Sequence, residues 1–170
     1  MKPLTIGGLA CGLALLVAAC SANSGPSTNG PFGNGGPTSG TVCYPAKPGG
    51  VVFDGFEEFS DTGGTATVSK VTLVHPRHLR LVAAWVANAN DVAAAGGRGF
   101  PTPGRSWQRV PGAVVRHTHG REMIILVIVV KPSGKIGTAT AVNLYYESAG
   151  THYLLHFPYG PQAPVGHACP

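Results

Sequence analysis

Apolar and polar residues in this chain alternate in short runs broken by Gly, Pro, Asn and Ser, a pattern of strands and turns. Residues 122–131, EMIILVIVVK, hold eight consecutive apolar residues between charges and a Pro-Ser-Gly stop, which predicts a strand buried on both faces. Residues 65–74, TATVSKVTLV, are rich in Thr and Val and predict a second strand, stopped by His75-Pro76. In residues 79–88, Leu79, Leu81, Ala83, Trp85 and Ala87 alternate, which predicts a strand that buries Trp85. The same segment is Ala-rich, so a helix running to Ala95 is the alternative. Residues 136–147 predict one long strand and residues 151–157 its return after the Ser148-Ala149-Gly150 turn, together a hairpin. Weaker strands are expected at 50–53, on an edge, and at 112–118. Residues 54–64 read as an acidic, turn-rich connection, residues 88–104 as a long surface loop, and the tail after Pro158 as aperiodic. About seven strands with turns between them predict an all-β antiparallel sandwich of immunoglobulin-like type.

The first 42 residues follow a different pattern. Met1 and Lys2 precede an almost wholly apolar run, residues 4–20, which ends in Val17-Ala18-Ala19-Cys20. A positive start, a short apolar run and small residues at the cut describe a secretory signal, and the run is short for a membrane span of about 20 residues. Val-Ala-Ala-Cys resembles a bacterial lipobox, which implies a mature chain beginning at lipidated Cys20, anchored to the extracytoplasmic face of the cell membrane. The alternative is an ordinary signal cut after Ala19. Residues 21–41 are uncharged and rich in Gly, Ser, Asn, Pro and Thr, a composition that cannot offset the entropy of ordering. The expected organisation is therefore a signal at 1–19, a lipidated flexible tether at 20–42 reaching roughly 25 Å, and a β domain at 43–170.

Four cysteines bear on this picture. Cys11 falls in the signal and Cys20 is the lipid site, leaving Cys43 and Cys169 at the two ends of the domain. In an oxidising compartment they are expected to form a disulfide, contributing roughly 4–5 kcal/mol by closing a long loop. The formal charge is +5 and charged residues make up 11% of the chain. All seven arginines lie between Arg77 and Arg121, while Asp54, Glu57, Glu58 and Asp61 cluster earlier. An exported cationic protein can lean on anionic lipid heads or wall polymers, but the favoured reading is an ordinary solvated surface from a genome that prefers Arg to Lys. No basic stripe interleaved with aromatics occurs, so nucleic acid is not an expected partner.

The Pro101-Thr102-Pro103-Gly104 loop, Trp107, the strand EMIILVIVV, the run AVNLYYESAGTHYLLHF and the final Cys169 follow one another in an order that resembles small actinobacterial exported lipoproteins. The likeness spans roughly Gly97 to Cys169 plus the lipobox. It implies a compact β domain closed near its C-terminal cysteine, and no activity. Phe100 departs from the pattern, standing where a small residue or Pro is usual.

Two sets of residues are candidates for function. His117 and His119, two apart on a strand, share a face; His152 from the last hairpin, if its strand is a neighbour, completes a three-His site for Zn or Cu, with Met123 as a soft ligand for Cu(I). The second set is Phe100, Arg105, Trp107 and Arg109, an aromatic and cationic group suited to a surface protein or a glycan. The competing reading of Trp107 is a plug at the end of the sandwich. No G-x-S-x-G occurs, and Glu57 with Glu58 point to opposite sides of an extended chain. The leading expectation is a membrane-anchored binding or structural module without catalysis or cofactor; the alternative is a carrier of Cu or Zn.

Overall fold

The computed structural model describes residues 26–28, 30–34, 40–60, 64–92, 96–117 and 123–169. The segment expected to be a signal, residues 1–19, and Cys20, His119 and Glu122 lie outside them. The described strands are β1 (Phe32–Asn34), β2 (Gly40–Cys43), β3 (Val52–Ser60), β4 (Gly64–Val74), β5 (Leu79–Asn88), β6 (Gly96–Arg98) and β7 (Gln108–Arg109). They continue with β8 (Ala113–His117), β9 (Met123–Pro132), β10 (Ile136–Thr138), β11 (Ala141–Ser148), β12 (Thr151–Phe157) and β13 (Tyr159–Pro164). The protein is all-β, an antiparallel sandwich. One large sheet runs β1-β3-β9-β5-β7 with β6 also on β3, the other runs β12-β11-β4-β8, and a small third sheet runs β10-β13-β2.

Strand β9 is the centre of the first sheet, as its apolar run predicts. Ile124, Leu126, Ile128 and Val130 face the second sheet, meeting Val68, Val142, Leu144, Tyr146 and Phe157 in the main core. Ile125, Val127 and Val129 point the other way and are buried too. Its neighbour β3 corrects the expectation of a short edge strand and an acidic turn. Val52, Asp54 and Phe56 are buried on one side of a nine-residue strand that pairs with β9 over most of its length. Three acids within one strand have poor β propensity, but packing against β9 outweighs it.

Residues 79–88 are a strand, with one correction. A bulge between Leu81 and Ala83 shifts the register against β9 and exchanges the faces that follow. Ala84 and Val86 therefore enter the core, while Trp85 turns to the outer face, half-buried. The long strand expected over 136–147 is divided. β10 joins the small sheet and β11 the second large one, because the chain changes sheets at Ala139–Thr140. The tail also differs from expectation: β13 carries Pro161 and Pro164, yet lies between β10 and a parallel β2.

The stretch assigned to a tether folds in part onto the domain. Ser27 N–H donates to His152 O at 3.0 Å and Leu154 N–H to Ser27 O at 2.8 Å, so Ser27 extends the sheet beyond β12. Phe32 in β1 enters the core. One aromatic ring among small polar residues supplies the apolar burial that composition as a whole does not. At the opposite edge of the same sheet, the Gln108 side chain takes the place of a strand. Its Nε2 donates to Val114 O and its Oε1 accepts from Val114 N–H, both at 2.8 Å. Each edge of this sheet is thus met at one point, β12 by Ser27 and β8 by Gln108.

The sandwich has two ends. One carries the turn 75–78, the start of β3 and the close of β9; the other carries the Ala149 turn, the close of β3 and the start of β9. Cys43 and Cys169 are bonded, with an S–S distance of 2.09 Å and a Cα–Cα distance of 5.9 Å.

Candidate functional site

Strands β6 and β7 lie on opposite sides of the first large sheet, so residues 99–107 must cross its outer face. Four inter-strand steps of about 4.8 Å make that crossing roughly 19 Å wide. The crossing is a strap. Beneath it run Val127 and Val129, flanked on the neighbouring strands by Gly55, Phe53, Ala83 and Trp85. Trp107 meets Trp85 with ring centroids 6.0 Å apart.

The strap is held at its start, where Gly99 N–H donates to Val51 O at 2.8 Å, and again near its close. Asn88 N–H donates to Ser106 Oγ at 2.9 Å, Ser106 N–H donates to Asp91 Oδ2 at 2.8 Å, and Trp107 Nε1–H donates to Asp91 O at 3.2 Å. The Ser106 side chain and then its backbone N–H hold the Asp91 carboxyl below the usual carboxylate range, with Arg105 adding to the effect. Gly104 permits this closeness, since a Cβ there would meet Asp91 O and the Trp107 ring.

Of the four predicted contact residues, Phe100 is 60% exposed and Arg105 and Arg109 are exposed as well. Trp107 is half-buried, its ring against Trp85 and its N–H tied to Asp91. The tryptophan braces the strap from beneath instead of plugging an end of the sandwich, Phe100 and Arg105 are exposed on the strap, and Arg109 is exposed beyond it in β7.

The histidines are dispersed. β8, which carries His117, and β12, which carries His152, are opposite edges of one sheet with β4 and β11 between them. Three inter-strand steps separate them by about 14 Å, so the adjacency needed for a three-His site is not met. His152 Nδ1 instead stands 4.0 Å from Glu147 Oε2, and His156 Nδ1 is 2.7 Å from Asn143 Oδ1. Among the described residues no three His, Cys, Asp or Glu side chains converge on a common point that suits a metal ion.

Sequence reasoning passed over Asp54. It is 2% exposed, and its Oδ2 has no hydrogen-bond partner among the described residues. Burial pushes its carboxyl up to about 7, against the opposing bond from Gly55 N–H. Tyr44 is raised first by burial and then by the charge of Asp54. Gly96, opposite Asp54 on β6, leaves room for the Tyr44 ring, into which a Cβ would run. The alternation Val52, Asp54, Phe56 carried the signal, hidden by the neighbouring acids. Asp54 is buried, and its charge reaches Tyr44. No protein-family model matches the chain, and no curated protein matches it.

Proposed function

We propose that this protein is a lipid-anchored module at the extracytoplasmic face of the cell membrane, binding a surface protein or glycan through the strap and performing no catalysis. The observation that carries the reading is Phe100, a large apolar side chain 60% exposed on a strap that Asp91, Ser106 and Trp107 hold in place. A fixed loop presents an aromatic anchor without a large ordering cost, and the exposed Arg105 further along the strap and Arg109 in β7 supply forked donors for carboxylate, phosphate or sugar oxygens. The anchor is Cys20, through the lipobox resemblance.

Two measurements test this. A clickable fatty acid fed to producing cells labels the full chain, and Cys20→Ala abolishes the label and releases the protein to the medium. The released protein binds isolated cell envelopes, and Phe100→Ala with Arg105→Glu and Arg109→Glu lowers that retention at least tenfold, about 1.4 kcal/mol. Equal retention of the triple variant discards the strap as the contact surface. A label that persists in Cys20→Ala discards the anchor.

A further inference from the structure

Half of the twelve Lys and Arg residues of the chain gather at one end of the sandwich. Arg77 belongs to the turn 75–78, Arg80 to the start of β5 and Lys131 to the close of β9; Lys135 precedes β10, Lys47 precedes β3, and Arg98 pairs with Val52 at the start of β3. His75, His78 and His167 stand among them, and all three are exposed. Arg80 and Lys131 are direct cross-strand partners, a like-charge pairing that sheets ordinarily avoid. Of the acids on the described strands and turns, Asp54 is buried here, Glu57 and Glu58 stand at the close of β3, and Asp91 and Glu147 likewise lie toward the Ala149 end.

This end is also built and held. His75 and His78 adopt φ of 45° and 49°, left-handed values that cost free energy in residues with a Cβ. The turn is clamped by Ser133 N–H donating to His78 O at 2.9 Å, and by Arg77 and Thr138 exchanging backbone bonds at 2.8 and 2.9 Å. The same strand reaches the C-terminal tail, where Val165 N–H donates to Lys135 O at 2.8 Å. Beside that tail opens a hollow of about 460 Å³, lined by Lys47, Arg98, His167 and Cys169. Lys47, Arg98 and His167 thus line a concavity to which the bonded Cys169 also contributes.

We infer that the His75 end is a binding surface for a soluble polymer bearing phosphate groups, with one phosphate seated between Lys47 and Arg98. Guanidinium and ammonium groups with no exposed acid among them match repeated phosphate oxygens, and the hollow admits a group that a flat basic surface would leave in solvent. The choice of a polymer over a phospholipid surface comes from orientation and rests on the anchor proposed at Cys20. Ser27 runs parallel to β12, so the chain enters the domain at the Ala149 end. Cys20 is six residues from Pro26, a reach of about 20 Å, which keeps the Ala149 end at the membrane and turns the basic end outward.

The test uses the full chain in a neutral detergent, with soluble poly(glycerol phosphate) as probe and phosphatidylglycerol vesicles as the competing source of phosphate. The polymer binds, and affinity falls steeply with added salt. Lys47→Glu with Arg98→Glu weakens binding at least about tenfold, and Arg77→Glu with Lys135→Glu, on the neighbouring elements, does likewise. Lys70→Glu with Arg116→Glu makes the same change in net charge elsewhere and costs under about twofold. No binding at low salt, equal losses in all three double variants, or a preference for the vesicles would overturn the inference. Envelope retention that depends on Phe100 while the polymer fails to bind overturns this surface alone; loss of both removes the proposed function with it.

Discussion

The ring of Phe32 lies 4.5 Å from the ring of Tyr146, a residue 114 positions further along the chain, and Phe32 N–H donates to the Tyr146 hydroxyl at 3.4 Å. Tyr146 in turn stacks on Tyr153 at 5.2 Å, so three aromatics close the side of the sandwich where the chain enters. Phe32→Ala is expected to lower stability by about 3 kcal/mol, the low end for a buried Phe, since the site lies near the surface. The urea midpoint of the variant measures it. A midpoint equal to that of wild type would return residues 30–34 to the tether.

Gln108 joins the two large sheets through Val114, and its removal has two effects. Gln108→Ala loses both bonds, about 1–2 kcal/mol in total, and bares the backbone of β8 at the sheet edge. Thermal melting reads the first effect, and light scattering at rising concentration reads the second. A variant that melts with wild type and scatters no more light would show that β8 needs no cover.

Asp54 makes stability depend on pH. Its folded pKa is raised from the ordinary 3.8 to about 7, so the folded state holds a proton that the unfolded chain releases. The associated stability is fully present below pH 3.8 and is lost as pH rises to about 7, a loss of about 4 kcal/mol for a carboxyl this buried. Asp54→Asn cannot ionise. The stability difference between wild type and variant, followed by urea unfolding from pH 4 to 8, is expected to move in favour of the variant by that amount. Parallel curves would mean that the carboxylate finds solvent or a partner when it ionises.

Cys43 and Cys169 close a loop of 126 residues. The double change Cys43→Ser, Cys169→Ser is expected to cost about 4–5 kcal/mol in the chain-entropy account, again read from the urea midpoint. A loss under about 1 kcal/mol would show that the parallel pairing of β2 with β13 holds the ends together without the bond.

How much of this was legible in the sequence depended on whether local pattern and tertiary context agreed. In β9 they agreed: a run of apolar residues too long for one face is buried on two, one beneath the second sheet and one beneath the strap. The hairpin of β11 and β12 was equally plain, and Tyr145 and Tyr146 face opposite ways as adjacent strand residues must, with Lys70 Nζ 5.7 Å from the Tyr145 ring. Where they disagreed, reading failed. Strict alternation places Trp85 in the core, and nothing local announces the bulge that turns it out. Phe32 was lost in a polar stretch because its partner Tyr146 is remote. The candidate site divided in the same way. Phe100 and the arginines of the strap were visible as residue types, whereas the gathering of Lys47, Arg98 and His167 exists only after folding.

The bond between Cys43 and Cys169 turns everything from β3 to β13 into a covalent ring, and Ser27, Phe32 and most of β2 stand outside it. A tug on the N-terminal side therefore meets two mechanical regimes. Moderate load strips Ser27 from β12 and Phe32 from its socket, releasing about 17 residues and lengthening the leash by roughly 55 Å. Beyond Cys43 the ring cannot be drawn out further, so the strap and the basic end keep their shape while the freed segment takes up the strain.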